Sequence, residues 1–425
     1  MHNEVLIPHL FRTEYRKIVS VLCKHFGFEE IETAEDIASD TFLTAMQSWG
    51  IEGMPANPVA WLYTVAKNKA KNQLHRRSIY HNKVVPAITN DTKDNTRDID
   101  LSPENISDSQ LQMMFAVCNP VIPPEAQIGL ALRILCGFGI DEIAAAFLTG
   151  KDTINKRLYR AKEKLREEKI KIELPPVSEL DERLDTVLAT IYLLFNEGYY
   201  SASQDKALRK ELCFEAIRLC TMLAENKQTH KPSVYALLAL MCFHTSRFDA
   251  RTDSNGELVL YEEQDTSLWN EDLIAKGAYF LRSAATGNSL SKYHLEAGIA
   301  YWNTQKAETR EKWSQILLLY DHLLVIAYSP VAALNRAYAL AKARAFEYIA
   351  QGMEEERAVK MARLQAIEEA EKLPLQNHHI YHTLLGELYK GLDISRSTAH
   401  FEQAIELAPT EAAKRVLRKV LSYRL

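Results

Sequence analysis

Basic side chains recur at helical spacing near the middle of the chain, where they could contact phosphate groups and base edges. Ile154, Leu158, Ala161 and Leu165 repeat with the period of a helix and predict its buried face. The other sides of this helix carry polar residues: Thr153, Asn155, Lys156, Arg157, Tyr159 and Arg160. Cationic side chains neutralise phosphates, and an arginine fork can bond a guanine edge. The pattern predicts a DNA-binding helix, with a helical hairpin carrying a solvated lysine face as the alternative.

A second basic stretch lies earlier in the chain. A helix predicted to begin at Val59 ends in a run with no acidic residue, in which cations alternate with hydrogen-bonding side chains. Its candidate nucleic-acid contacts are Trp61, Lys67, Asn68, Lys71, Asn72, Arg76 and Arg77. The alternative is a solvated helix end that the helix dipole makes favourable. Trp61 has two interpretations, because its spacing with Leu62 and Val65 also suits a core tryptophan.

Short helical elements must position both stretches. Ile140, Ile143, Ala144 and Phe147 predict a helix just before the Thr153 helix, with Gly150 ending it in a left-handed conformation and Asp152 capping the next helix. Two such helices form a helix-turn-helix, whose second helix enters the major groove.

The N-terminal part has an acidic helix face instead. A first helix is predicted to end near Gly27, and a second to begin at Thr33 with Asp36 completing a variant capping box. On the second helix, Asp36, Asp40 and Gln47 face outward, opposite the apolar residues.

The composition predicts an all-α protein. The chain has 425 residues, 15 glycines and a formal net charge of −5, so a nucleic-acid partner must be argued from local patches. The six cysteines are scattered without metal-ligand spacing, and we expect neither a metal nor a cofactor. No export signal and no apolar run long enough for a membrane span are present, which predicts a cytoplasmic protein without a membrane partner. One small hairpin is expected around residues 253–260.

The chain divides into five predicted parts. Residues 1–80 form one helical domain, and residues 81–107 form a polar, flexible linker. Residues 108–172 form a second domain, which ends with the helix-turn-helix. Residues 173–290 form a helical extension, and residues 291–425 form helical repeats.

Three segments together resemble the sigma factors of bacterial RNA polymerase. They are 34–43 (AEDIASDTFL), 61–70 (WLYTVAKNKA) and the helix-turn-helix. The resemblance covers about residues 8–171 and is nearest to the extracytoplasmic-function class, which keeps only sigma regions 2 and 4. It implies a non-enzymatic subunit whose partners are RNA polymerase core and promoter DNA.

The resemblance also implies roles for the three polar faces. The Asp36–Trp49 helix would dock on the polymerase, the Trp61–Arg77 helix would open and read the −10 element, and the Thr153–Leu165 helix would read the −35 element. Lys67, Asn72 and His75 depart from the usual residues of the −10 helix.

The C-terminal part resembles the extension of a subgroup of these sigma factors. Matching segments include 193–200 (LLFNEGYY), 215–219, 264–269, 313–316, 319–321 and 329–337. The role of Asn196, Glu197, Gly198 and Tyr199 is unknown, and Gly198 is expected to end a helix. Leu385, Gly386, Tyr389, Phe401 and Ala404 follow a tetratricopeptide-like spacing, which predicts a surface for a protein or peptide partner.

Two other functions remain open. The chain could be a polymerase-independent helix-turn-helix regulator with a sensor domain, although such a regulator would not need the acidic helix face. It could also carry an enzyme in residues 176–290, but no catalytic spacing supports this, and we expect no catalytic residues.

Overall fold

The described part of the computed structural model is entirely helical. It comprises residues 2–84, 99–147, 149–200, 206–251, 259–287 and 289–424, in which there are eighteen α-helices and no strand. The predicted hairpin falls largely on residues 252–258, outside these ranges. The chain folds into two compact units, Met1–Thr229 and His230–Leu425. The predicted division into five parts is finer and stays a prediction.

The first unit contains nine of the described α-helices. They are α1 (His2–Phe26), α2 (Ile31–Glu52), α3 (Pro58–Val84), α4 (Pro103–Val117), α5 (Pro124–Leu130), α6 (Ile140–Ala146), α7 (Lys151–Glu167), α8 (Leu180–Tyr200) and α9 (Lys206–Glu225). A π-helical turn, Ala131–Leu135, follows α5. Most of the predicted linker, residues 85–98, lies outside the described residues. Its last residues belong to α4, which Ser102 caps by accepting a hydrogen bond from the Asn105 amide.

The first helix ends where it was predicted to end, and its apolar face is buried. Tyr15, Ile18 and Leu22 of α1 are completely buried against α2 and α4. Gly27 follows the last residue with φ of 90°, a conformation that glycine adopts without strain.

The predicted starts of α2 and α7 are wrong in detail. A short 3-10 turn precedes α2, which begins at Ile31, and the Thr33 hydroxyl donates to the Glu30 carboxylate instead of capping the helix. Gly150 has φ of −80° and is itself the residue before α7, while Asp152 lies inside the first turn. Extended backbone at Gly150 reverses the chain without a left-handed residue, so no glycine was required there.

Gly198 does not end a helix, contrary to the prediction. Helix α8 continues to Tyr200, and Gly198 is buried within it. Burial against neighbouring residues outweighs the low helix propensity of glycine at this position.

The second unit contains the other nine helices. They are α10 (Pro232–Thr245), α11 (Glu271–Ala284), α12 (Lys292–Trp302), α13 (Arg310–Ile326), α14 (Pro330–Ala350), α15 (Glu355–Glu371), α16 (His379–Tyr389), α17 (Ile394–Leu407) and α18 (Glu411–Arg424). From α12 onward each helix packs on its successor. Gly386 of α16 lets the Phe401 ring of α17 approach closely, and the Ser397 hydroxyl donates to the Gly386 carbonyl at 2.8 Å.

Candidate nucleic-acid and protein interfaces

Helix α7 presents the predicted polar residues to solvent. Its apolar stripe is buried as expected, with Ile154 and Leu165 fully covered. Thr153, Asn155, Lys156, Tyr159 and Arg160 are exposed, Tyr159 by 63% of its surface. Arg157 is partly buried, and its guanidinium lies 5.4 Å from the centre of the Phe147 ring, where it helps join α7 to the turn after α6. The predicted polar residues other than Arg157 are therefore exposed on the surface of α7.

Helix α3 carries the second basic face. Asn68, Lys71, Asn72 and Arg76 are exposed and lie along one side of the helix, while Lys67 is partly buried. Arg77 is helical, and its side chain lies outside the described residues. Cations and amides on one helix side suit phosphates and base edges.

Trp61 belongs partly to the core of the first unit. Its ring packs edge-on against the buried Trp49 ring, with centroids 5.3 Å apart, and the residue keeps part of its surface exposed. The two interpretations of Trp61 are therefore compatible, because one edge can pack while another contacts a partner.

The outer face of α2 combines carboxylates with apolar side chains. Asp36, Asp40 and Gln47 are exposed as predicted, and Asp40 lies 4.0 Å from the Lys69 ammonium. Leu43, which had no predicted role, is exposed by 53%, and Met46, which the helical spacing placed on the apolar side, is instead exposed by 58%. Exposed ion pairs contribute little free energy, so Asp40 is available to another partner. An acidic and apolar face suits a protein better than DNA.

Two acidic residues at the start of α2 bind cations of the second predicted domain, residues 108–172. The Glu35 carboxylate accepts hydrogen bonds from Lys162 of α7 and, at 3.1 Å, from the Arg133 Nε of the π-helical turn. Glu32 forms ion pairs with Lys162 and Arg166. Glu35 is 9% exposed, so its charge needs these partners. Sequence reasoning missed them, since no local pattern pairs residues about 100 positions apart.

This ion-pair network covers one end of the polar side of α7. Asn155, Tyr159, Lys162 and Arg166 are separated by four, three and four residues and therefore lie along one side of the helix. The N-terminal part of that side is open, whereas Glu32 and Glu35 occupy its C-terminal part.

Helices α8 and α9, which begin the C-terminal extension, pack on the first and the second predicted domain. From α9, Glu215 binds Arg16 of α1 at 2.7 Å, and Arg218 donates to the Leu135 carbonyl at 2.7 Å. From α8, Arg183 donates to the Phe115 carbonyl at 2.6 Å, and the Thr190 hydroxyl donates to the buried Gln127 at 2.7 Å. The 215–219 segment, noted only for its resemblance, thus joins α1 to the π-helical turn. No feature of the sequence pointed to Arg16, the partner of Glu215.

The segment of unknown role lies in the last turns of α8. Tyr199 is buried and stacks on Phe195, with centroids 5.6 Å apart. Asn196 and Glu197 are partly buried, and burial raises the pKa of the Glu197 carboxyl. The geometry gives these residues a packing role and leaves any further role open.

The cysteines and acids of the described residues provide no metal site. No group of three or more His, Cys, Asp or Glu side chains in the described ranges could hold a metal ion. All six cysteines are buried free thiols, and burial raises the pKa of Cys118 and Cys242 to about 12. They behave as small apolar residues. In the described ranges no helix is both long and apolar enough for a membrane span.

Comparison with known families supports the sigma resemblance in the first module. Residues 10–79 match Sigma-70 region 2, and residues 183–285 match a family of unknown function, DUF6596. Region 2 implies a non-enzymatic transcription factor that binds RNA polymerase core and promoter DNA, and it suggests a role in transcription initiation. No solved structure matches the chain.

One relative aligns along almost the whole chain. The uncharacterized protein R00370 of Rhizobium meliloti (strain 1021) is 31% identical over 401 residues, which cover 93% of this chain and 91% of the relative. The chain therefore belongs to the family of this protein, with a sigma-70 region 2 near its N-terminus and a DUF6596 region behind it.

Proposed function

We propose that the protein is an alternative sigma factor of the extracytoplasmic-function class, which directs RNA polymerase core to particular promoters. The observation that carries this proposal is the presence of two unlike faces within the region 2 match. Helix α2 exposes carboxylates beside apolar side chains, and α3 exposes cations and amides. One module can therefore hold a protein on one helix and DNA on another.

The acidic face of α2 is the proposed polymerase contact. Asp36, Asp40, Leu43 and Gln47 follow at spacings of four, three and four, so they form one continuous side. Exposed Leu43 supplies apolar area at its centre, and the carboxylates add charge complementarity that sets register and association rate.

Helices α3 and α7 are the proposed DNA contacts. On α3, Asn68, Lys71, Asn72 and Arg76 would contact the −10 element, with Trp61, Lys67 and Arg77 beside them. On α7, Lys156 and Arg160 are the best candidates for base edges. Thr153, Asn155, Arg157 and Tyr159 would contribute backbone contacts or packing.

Co-purification with polymerase core tests the α2 assignment. We expect Asp40→Arg to weaken binding to core by at least about tenfold, because it replaces an anion of the proposed contact surface by a cation and removes charge complementarity with the polymerase. Asp152→Arg, the same change at another exposed aspartate, on α7, is the matched control and should bind core normally. Equal binding by both variants would refute this division of roles.

A polymerase-independent regulator is the alternative function. It predicts that the Asp40→Arg variant keeps full activity and that the protein represses or activates without core. Exposed Leu43 and Met46 on the acidic face favour the sigma factor, because a DNA-only regulator has no use for them.

We further propose that the extension regulates the sigma modules within the same chain. Helix α9 holds α1 and the π-helical turn together through Glu215 and Arg218, and Glu32 and Glu35 cover Lys162 and Arg166. In this closed arrangement two cations of α7 face carboxylates rather than phosphates. Release of these contacts would raise promoter affinity.

Charge reversal at one pair tests this regulation. Arg16→Glu and Glu215→Arg each break the pair, so each should raise promoter binding by about threefold or more. The double variant should move binding back toward the original level, but only in part, because Arg218 also loses its Glu215 partner. Glu225→Arg, at the exposed end of α9, is a control for added charge. Single variants that bind promoter DNA as the original protein does would refute the proposal.

A further inference from the structure

A cavity of about 280 Å³ lies within the second unit. It is bounded by the 3-10 turn Tyr261–Glu263, the residue after α12, and helices α13 and α14. The lining residues are Arg247, Tyr261, Asn303, Trp313, Ile316, Tyr320, Asn335, Tyr338 and Ala339. Trp313, Ile316, Tyr320 and Asn335 come from the segments singled out by resemblance, and the promoter function uses none of them.

The aromatic residues turn ring surfaces, rather than polar tips, toward the cavity. The Tyr261 hydroxyl donates to the Asn303 carbonyl, the Trp313 indole to Glu308 and the Tyr338 hydroxyl to Glu262, each at 2.7 Å. Protein partners therefore satisfy these tips. The walls are left apolar and planar, as is common in sites for small organic molecules.

The protein's own cations already lie over these rings. The Arg247 guanidinium is 4.6 Å from the Tyr261 ring centre, and the Lys312 ammonium is 5.5 Å from the Trp313 ring centre. The Lys342 ammonium, which belongs to α14, is 5.6 Å from the same Trp313 ring centre. Cation–π positions are thus taken, and a cationic ligand would meet the Arg247 guanidinium of the lining, whereas the charges of Lys312 and Lys342 are paired with Glu308 and Glu262.

The polar groups of the lining favour an anion. Among the described residues that line the cavity, Arg247 is a cation and none is a carboxylate. The neighbouring acids Glu308 and Glu262 are engaged by Lys312 and Lys342, at 2.5 and 3.6 Å. Asn303 and Asn335 add carboxamides, which can donate hydrogen bonds, and one N–H of Asn335 is already used by the Tyr320 hydroxyl. Burial raises the pKa of Tyr320 to about 12, so its phenol stays protonated.

We propose that this cavity binds a small carboxylic acid with a planar apolar body, its carboxylate near Arg247 and Asn335 and its body against Trp313 and Tyr338. The size is suitable, because a cavity of about 150 Å³ accommodates benzene. The remaining volume can hold a short acidic arm. Such a group could belong to a free metabolite or to the C-terminal residue of a peptide, which share this chemistry.

Calorimetric titration of the full chain with phenylacetate tests the site. We expect phenylacetate to bind at least about tenfold more tightly than phenylacetamide, and phenethylamine not to bind at about 10 mM. A short peptide ending in phenylalanine, with a free or an amidated C-terminus, forms a second arm. Tighter binding by the free-ended peptide identifies a protein tail as the source, and tighter binding by phenylacetate identifies a metabolite; either result supports the site.

Two conservative variants place the binding in this cavity. Asn335→Asp adds a negative charge at the exposed rim without changing size, so it should weaken phenylacetate binding by about tenfold or more. Gln315→Glu makes the same amide-to-acid change on the exposed side of α13 and should leave binding unchanged. The proposal is overturned if the acid binds no better than its amide or its amine, or if both variants bind equally.

Discussion

At the scale of single residues, Arg160 is the sharpest test of DNA recognition by α7. It is exposed on the polar side, whereas the apolar stripe beneath it is buried, so its replacement leaves the fold intact. A good bidentate base contact contributes about 1–3 kcal/mol of discrimination.

Arg160→Ala should therefore weaken binding to the −35 element by about five- to 150-fold and leave core binding unchanged. Lys164→Ala, two positions after the covered Lys162, is the control that removes a cation from the same helix. Fluorescence anisotropy with promoter DNA and a core pull-down measure the two activities. Equal losses in both would contradict the assignment.

His244 gives the stability of the second unit a pH dependence. Burial, together with the charges of Arg247 and Arg251, lowers the pKa of His244 from 6.5 to about 3. Below pH 6.5 the unfolded chain binds the proton and the folded chain does not. The free energy of unfolding should fall with falling pH, by up to about 1.4 kcal/mol per pH unit from this residue.

Denaturant unfolding at pH 7, 6 and 5 measures this effect. His244→Gln cannot titrate and should show a flatter pH dependence than the original chain, whereas His230→Gln at an exposed position should match the original. A parallel decline in all three proteins would show that His244 is not responsible.

Some residues were predictable and others were not. Helical spacing correctly predicted which residues are exposed: Lys156, Arg160, Asp36 and Asp40. The period of the apolar residues is enough to assign the solvent-facing side of a helix. Glu35 was invisible, since its partners Lys162 and Arg133 meet it only after the modules pack.

At the scale of elements, the α16–α17 hairpin depends on a glycine that lets two helices approach. A Cβ built on Gly386 would lie 2.9 Å from the Phe401 ring, closer than packed side chains tolerate. Overpacking of this kind costs about 1–3 kcal/mol.

Gly386→Ala should lower the unfolding midpoint by the equivalent of about 1–3 kcal/mol, although alanine is the better helix former. Phe401→Leu removes the opposing ring, so Gly386→Ala should cost less in that background. Additive losses in a double-mutant cycle would mean that the two residues do not meet.

Helix existence was easier to predict than helix ends. The end of α1 near Gly27 was predicted, and the structure gives Gly27 a positive φ of 90°, which favours glycine. The end expected at Gly198 was wrong, because burial in α8 overrides local propensity. Thr33 does not cap α2, because the 3-10 turn Phe28–Glu30 leads directly into the helix, which begins at Ile31, before Thr33.

At the scale of the whole molecule, the contacts assign α8 and α9 to the first compact unit. They belong to the unit Met1–Thr229, although their sequence matches the DUF6596 family. Leu184, Val187, Leu188 and Ile191 of α8 are at most 2% exposed. Burial of one such side chain is worth about 1.5–3 kcal/mol.

A chain ending at residue 229 should therefore fold and bind core, whereas a chain ending at residue 175 should melt at a lower temperature and aggregate. Thermal unfolding and light scattering compare the two. Equal stability of the shorter chain would show that α8 and α9 contribute nothing to the first unit.

Reconstituted transcription tests the central claim most directly. Purified core polymerase with the full chain, on a library of host genomic fragments, should start transcripts at a small set of promoters that core alone does not use. Asp40→Arg should abolish these starts, and Asp152→Arg should not affect core recruitment. A transcript pattern identical to that of core alone, on every fragment, would contradict the account.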